Sequence, residues 1–419
     1  MRKISKISLV AAVAVAGFST ANAQPLEQAI KDVEVSGSVV YRYNNSDNTA
    51  DTPSTQKEDN NYKIGLNLAS KVNDYVKFNS RFIVGDSKDS GFAKLNSSKE
   101  AGSEDGDINA DVTLSNAYFG LTAIPNTVVN IGKQGLTTPY TVAVDINGNE
   151  QNGTGILALT TVGPVTAGAG YFNATNLQDS GNGSLRTTDH KKVIQNGYDM
   201  YVATVQGDLD FVKLEAWYAG MQDTFDSYTL AATSKLDLAK DAKVDLEARY
   251  VGLTLDDNNS VVKSLNLADD NNGMFRLAVD GKVSIVNARL AYTKTNKDGG
   301  LTALDQDAKN TSLGWSITSN GIADADYWQA ALGADILDNL NFTMHYGNLS
   351  ADASNSKTLS SIVNGLNKKL EQEEIYGQLT YKMSKNLNTY LRYGNLEEKI
   401  GSDKKVDQDM GRIQVAYSF

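Results

Sequence analysis

The chain ends on "GRIQVAYSF" (residues 411–419), and the fold turns on how this stretch is read. Ile413, Val415, Tyr417 and Phe419 fall on one face at period two; Arg412, Gln414, Ala416 and Ser418 fall on the other. A strand produces that period because successive side chains point to opposite faces. Terminal residues usually fray. Here a complete amphipathic strand runs to the last residue, so the chain end must be paired and its apolar face must meet a non-aqueous surface.

The same alternation recurs along the whole chain. "VEVSGSVVYRY" (33–43) sets Val33, Val35, Val39, Tyr41 and Tyr43 against Glu34, Ser36, Ser38 and Arg42. In "YKIGLNLASKV" (62–72), Tyr62, Ile64, Leu66 and Leu68 oppose Lys63, Asn67 and Lys71. In "YVKFNSRFIVG" (75–85), Val76, Phe78, Phe82 and Val84 oppose Lys77, Asn79 and Arg81. Further strands are expected at 111–123, 127–135, 155–163, 165–173, 198–207, 209–220, 225–236, 243–253, 272–281, 282–294, 325–335, 339–348, 373–383, 387–396 and 409–419. The total is about 18, an even number, as single-chain bacterial barrels have.

The connections alternate in length. Asn73-Asp74, Gly163-Pro164, Gly207-Asp208, Gly281-Lys282 and Lys385-Asn386 read as tight turns. Between them lie long polar stretches at 44–61, 86–110, 174–197, 254–271, 295–324 and 349–372. Short turns on one side and long loops on the other are the rhythm of a transmembrane antiparallel β-barrel. A soluble sandwich alternates along its strands too, but does not gather its long loops at one end. Two stretches instead carry helical spacing: "PLEQAIKD" (25–32), and "SSIVNGLNKKLEQEE" (360–374) with Ile362, Leu366 and Leu370.

The N-terminus has the layout of a cleaved export signal. Arg2, Lys3 and Lys6 precede the apolar run "ISLVAAVAVAGF" (7–18), and Ala21-Asn22-Ala23 supplies a small-residue cleavage site. Residues 1–23 are therefore expected to be removed, leaving a barrel over 24–419. The leader takes three of the 39 basic residues and none of the 50 acidic ones, so the mature net charge is −14. That balance argues against nucleic acid as a partner, which needs basic surface. The chain has no cysteine, which removes disulfides and thiolate metal sites. After the leader no apolar run reaches the length of a membrane-spanning helix. If the chain crosses a bilayer, it does so with strands, and the last strand must pair with the first, because unpaired backbone groups in lipid are costly.

Candidates for chemistry are few. The two histidines are His190, in a long loop, and His345, on the polar face of "LNFTMHYGNL" (340–349). Neither sits in a hydrolase motif, so no catalytic residue is assigned. "DGDINAD" (105–111) spaces Asp105, Asp107, Asn109 and Asp111 at every second position, a pattern that suits calcium, although Ala110 stands where an EF-hand loop needs glycine. A solvated acidic loop explains the same residues; Ca2+ would be an accessory and no cofactor is required. Arg42, Lys63, Lys77 and Arg81 fall on the polar, inward faces of the first three strands, as a water-filled lumen requires.

The stretch "PLEQAIKDVEVSGSVVYRY" (25–43), the leader before it, "VVNIGKQGL" (128–136) and "TGILAL" (154–159) resemble the Campylobacter-type major outer membrane porins. That resemblance implies a homotrimeric general porin of the cell outer membrane, passing ions and small hydrophilic solutes passively. It implies that the loop 135–155 folds into the barrel, so that Asp145 and Glu150 face the basic wall residues Arg42, Lys63, Lys77 and Arg81 across a constriction. It also implies that Tyr417 and Phe419 form the assembly signal read by the barrel-insertion machinery, with membrane lipids and lipopolysaccharide as surroundings. A surface adhesin acting through its long loops is the alternative from a different functional class.

Overall fold

Nineteen strands form one antiparallel sheet in the computed structural model, which describes residues 32–51, 54–87, 90–96, 110–178, 198–264, 271–352 and 368–419. They are β1 (Glu34–Asn48), β2 (Thr55–Asn73), β3 (Val76–Gly85), β4 (Ala93–Asn96), β5 (Asp111–Leu121), β6 (Thr127–Gly135), β7 (Asn152–Val162), β8 (Val165–Thr175), β9 (Met200–Leu209) and β10 (Val212–Met221). The order continues with β11 (Phe225–Ala239), β12 (Ala242–Leu255), β13 (Asn271–Val283), β14 (Val286–Thr295), β15 (Ala325–Leu337), β16 (Leu340–Asp352), β17 (Lys369–Lys382), β18 (Leu387–Ile400) and β19 (Asp403–Ser418). Among the described residues one short helix, α1 (Ser260–Ser264), lies in a loop. Eighteen strands make the barrel wall. The four-residue β4 only resumes, beside the upper part of β2, the place that β3 leaves at Gly85. The expected leader (1–23), nearly all of the expected helix 25–32, His190, Asp105, Asp107 and Asn109 lie outside the described residues.

The barrel closes where the terminal pattern requires it. β1 pairs with β19 from Ser38↔Ser418 to Asn48↔Gln408. Alternation then sorts the side chains. The outward face carries Val39, Leu230, Leu277, Leu290, Leu332 and Leu391, all exposed. Aromatics ring the same face near the loop end: Tyr171 against Tyr201 (5.4 Å between ring centres), Tyr228 against Tyr250 (6.0 Å) and Tyr292 against Trp328 (4.6 Å). An apolar band edged by amphipathic rings is what a bilayer's hydrocarbon and interface demand of a barrel exterior.

The structure corrects several local readings. The turns expected at Gly207-Asp208 and Gly281-Lys282 form three residues later, at Asp210–Phe211 and Ser284–Ile285. Asp210 and Ser284 take φ of 54°, and their short polar side chains tolerate that left-handed turn. The glycines remain inside strands. The stretch 44–61 is mostly strand, since β1 runs on to Asn48 and β2 begins at Thr55. The C-terminal part of the expected helix 360–374 is strand β17 from Lys369 onward. There Leu370, Gln372, Glu374 and Tyr376 are buried while Glu371, Glu373 and Ile375 are exposed, a period of two that prevails over the helical spacing. Ile362 and Leu366 lie outside the described residues. Connections at the loop end are also less uniform than expected: β10–β11 and β18–β19 turn through 222–224 and 401–402.

The lumen is not uniformly open. Against the β7–β13 wall, Leu136, Tyr140, Phe172, Met200, Val202, Phe225, Val251, Leu253, Met274 and Leu304 form a dry cluster. A second cluster gathers Ile317, Ile322, Tyr327, Leu349, Leu370 and Ile400 near the loop end of β15–β18. The first draws Leu136 and Tyr140 from the segment that joins β6 to β7 (136–151) and Leu304 from the one that joins β14 to β15 (296–324); the second draws Ile317 and Ile322 from the latter alone. These two loops therefore fold inward and pack on the wall as an internal core.

Candidate functional site

The loop 136–151 is held by a buried ion cluster. Glu150 is 1 % exposed. Its carboxylate accepts from Lys63 Nζ at 2.8 Å, from Arg81 Nε at 3.0 and 3.1 Å, from Arg81 Nη2 at 2.8 Å, and from Ser115 Oγ. Lys63 Nζ also donates to the carbonyl of Gly148 at 2.5 Å. Alternation on β2 and β3 aims Lys63 and Arg81 inward; Arg81 stands opposite Asn67, four residues along β2 from Lys63, and the two long side chains converge on Glu150. Burial pushes the Glu150 carboxyl up, but the hydrogen bonds and charge of Arg81 and the charge of Lys63 outweigh it and hold the group below the ordinary carboxylate range. One carboxylate is shared by two cations where the loop is fastened to the wall, so Glu150 compensates only part of the positive charge there.

Asp145 shapes the loop's tip. It accepts from the backbone N–H of Asn147 (2.8 Å) and Asn149 (2.9 Å) and from Asn149 Nδ2 (2.8 Å). Gly148 completes the turn at φ +82°, and a Cβ there would meet the Phe92 ring at 2.6 Å. Phe92 in turn lies under the Arg42 guanidinium, 4.2 Å from its centre. Arg42 Nη2 donates to the carbonyl of Ile146 (2.9 Å), and Asp307 of the second loop accepts from the N–H of Ile146 (2.9 Å). Burial raises the Asp145 carboxyl above its ordinary value, its loop hydrogen bonds oppose this, and the neighbouring charge of Asp307 adds to the rise. Burial raises Asp307 likewise.

Of the expected site residues, Arg42, Lys63, Arg81, Asp145 and Glu150 are brought together by the loop. Lys77 is not. It lies four residues, roughly 14 Å, along β3 from Arg81, and its Nζ pairs with Glu34 at 2.6 Å near the turn end. Tyr417 and Phe419 stack at 5.9 Å on the closing strand. Asp111 opens β5, and among the described residues no group of three or more His, Asp or Glu is placed to hold a metal ion.

Sequence reasoning missed the second inward loop and the wall it faces. Arg392 of β18 and Arg412 of β19 are directly opposed, and Arg42 of β1 follows one position along through Gln414, which accepts from Arg42 Nε at 2.8 Å. Among the described residues none of the three arginines has a carboxylate in ion-pair range, and like charges directly opposite repel. Aromatic faces compensate. Trp315, from loop 296–324, lies 5.0 Å from the Arg392 guanidinium and 5.7 Å from that of Arg412, and Tyr376 and Tyr390 flank Arg392 at 4.9 and 5.4 Å. His345 stacks on Tyr376 at 4.5 Å. A cavity of about 250 Å³ opens among Ile146 at the first loop's tip, Leu313 and Gly314 of the second loop, and Arg289, Gln329, His345, Tyr376 and Arg392 of the wall. The inward period of β18 and β19 already exposes Arg392 and Arg412 to a sequence reading; the loop that meets them does not show itself in any short pattern.

Solved structures of Pseudomonas aeruginosa outer-membrane proteins share this architecture. OpdL superposes with a TM-score of 0.71 at 13% identity, covering 93% of this chain and 99% of its own. OpdK, solved with vanillate, gives 0.70 at 14%, covering 93% and 99%. OprD gives 0.68 at 16%, covering 92% and 93%. At these identities the likeness concerns the fold. No curated protein sequence matches the chain. The family model described as Campylobacter major outer membrane protein matches residues 1–419, the entire length, and the chain belongs to that family of outer-membrane β-barrels of porin type.

Proposed function

We propose that this barrel is a general diffusion channel: ions and small hydrophilic solutes cross the outer membrane passively through a constriction set by two inward loops. The observation that carries the reading is the charge layout of the narrow region. On one side stand Asp145 and Asp307, joined through Ile146; next to them runs the wall row Arg42, Arg412 and Arg392, without carboxylate partners among the described residues. The dry cluster against β7–β13 leaves the polar wall of β14–β19 and β1–β3 as the route for water. A transverse field there orders water and aligns polar solutes, while an apolar solute must displace that water. Glu150, Lys63 and Arg81 serve this design as the fastening of the first loop rather than as free pore charges. Liposome swelling with sugars of graded size, together with planar-bilayer recording of the purified protein, tests the reading. Swelling that falls steadily with sugar size supports it, and absence of both swelling and conductance overturns it. Trimeric assembly, recognition of Tyr417 and Phe419 by the insertion machinery, and contact with lipopolysaccharide accompany this proposal; channel closures in threes would support the first.

A further inference from the structure

The second loop is captured by a carboxylate that belongs to the barrel wall. Glu374 of β17 points into the lumen and is 2 % exposed. Its Oε1 accepts from the backbone N–H of Trp315 at 2.8 Å; its Oε2 accepts from those of Ser316 at 2.9 Å and Ile317 at 3.3 Å. Three consecutive N–H groups converging on one carboxylate fix a turn's position and orientation together, because charge-assisted bonds are roughly twice as strong as neutral ones. The wall is shaped for this contact. A Cβ at Gly314 would overlap Glu374 Oε1, and a Cβ at Gly347 would come within 3.1 Å of Glu374 Cγ. Both neighbours are glycine, so the carboxylate and the turn can approach.

We infer that Glu374 is a positioning residue that sets the bore of the channel, by holding the tip 313–318 of the second loop over the arginine row. The inference rests on the channel reading above. Trp315 is the direct consequence of the capture, since its N–H is bound by Glu374 while its ring covers Arg392 and Arg412. Leu313 and Gly314 of the same tip border the 250 Å³ cavity. The rest of this loop has independent fastenings, Arg276 to the carbonyls of Lys309 and Thr311 and Arg249 to Asn310. Loss of Glu374 should therefore free the tip and leave the loop's root in place.

The chain has no cysteine, which allows a reversible test. Ser316 Oγ lies 3.4 Å from Met410 Sδ on the neighbouring wall. Glu374→Ala should assemble and show a single-channel conductance raised roughly twofold, with passage of larger sugars, because the narrowing element has left the lumen. Adding Ser316→Cys and Met410→Cys to that variant should return the conductance toward wild type under oxidation and release it with reductant. An unchanged conductance in folded Glu374→Ala overturns the inference. So does a raised conductance that the disulfide does not lower, since the effect would then be one of charge and not of position. Glu374→Gln, which keeps the shape and one acceptor oxygen, carries the same comparison if the alanine variant does not assemble. Failure of both to assemble would make Glu374 a folding residue and overturn the inference too. A wild-type protein that conducts nothing would instead refute the channel reading itself.

Discussion

Gly37 and Phe419 close the barrel. The N–H of Gly37 donates to the carbonyl of Phe419 at 2.9 Å, and the N–H of Phe419 donates to that of Gly37 at 3.1 Å. The last residue of the chain is thus a full member of the ladder. Its ring lies over Gly37, where a Cβ would meet Phe419 Cζ at 2.7 Å.

Deleting Phe419 should remove two ladder hydrogen bonds and the aromatic contact with Tyr417, leaving backbone of β1 unpaired at the membrane edge. Heat-modifiable migration on gels should show a reduced folded fraction in outer membranes. Gly37→Val should also lower the folded fraction, because its Cβ would collide with the backbone carbonyl of Gly65 on β2 as well as with the Phe419 ring. Wild-type levels of folded barrel in both variants would contradict this account of closure.

Glu150→Gln should destabilise the protein and loosen the first loop. Breaking a buried ion cluster by removing one partner costs about 3–5 kcal/mol, because the remaining charges of Lys63 and Arg81 are left uncompensated. The same linkage fixes the pH dependence. The folded-state carboxyl is held below its ordinary value of 4.5, so its stabilisation is fully present above that pH. It is lost as pH falls below 4.5 through the lowered folded value. Thermal unfolding of the wild type should drop across that acid window, and the Glu150→Gln variant should show a smaller drop.

Ion preference should move toward anions on acidification, at a higher pH than ordinary aspartates alone would give. Asp145 and Asp307 are raised above the ordinary 3.8, so their negative charge is lost earlier on the way down, while the positive charge of the wall row is left behind. Reversal potentials measured at decreasing pH report the shift. Asp307→Asn should move the neutral-pH value in the same direction and shrink its pH dependence. An Asp307→Asn channel identical to wild type at every pH would remove these carboxylates from the narrow region.

Lys77→Ala and Arg392→Ala should separate cleanly. Lys77 and Glu34 are both solvent-exposed, and pairs of that kind contribute about 0–1 kcal/mol. Lys77→Ala should therefore leave stability, conductance and ion preference near wild type. Arg392→Ala should shift preference toward cations, because it removes one of three clustered positive charges. Equal effects of the two substitutions in bilayer recordings would show that the basic residues act through general charge and not through their place in the lumen.

The sequence by itself determined the wall of this barrel. Alternation is a local property, repeated in every strand, and one face of each strand must meet lipid; the count of eighteen wall strands and the closing pair follow from it. The inward direction of Arg42, Lys63, Arg81 and His345 follows from the same rule. Turn positions were less legible. Asp210 and Ser284 take the left-handed turn positions that Gly207 and Gly281 seemed to mark, and a turn's identity depends on where two strands stop pairing. What fills the lumen was decided by tertiary structure alone. Glu150 meets Arg81 across 69 residues, and Glu374 meets Ser316 across 58, with no period linking either pair. Lys77 has the same type, strand and face as a pore residue, yet its height on β3 puts it out of reach of the loop. A loop's route through a barrel is set by which buried donors and acceptors it can satisfy there, and those partners become neighbours only once the sheet has closed.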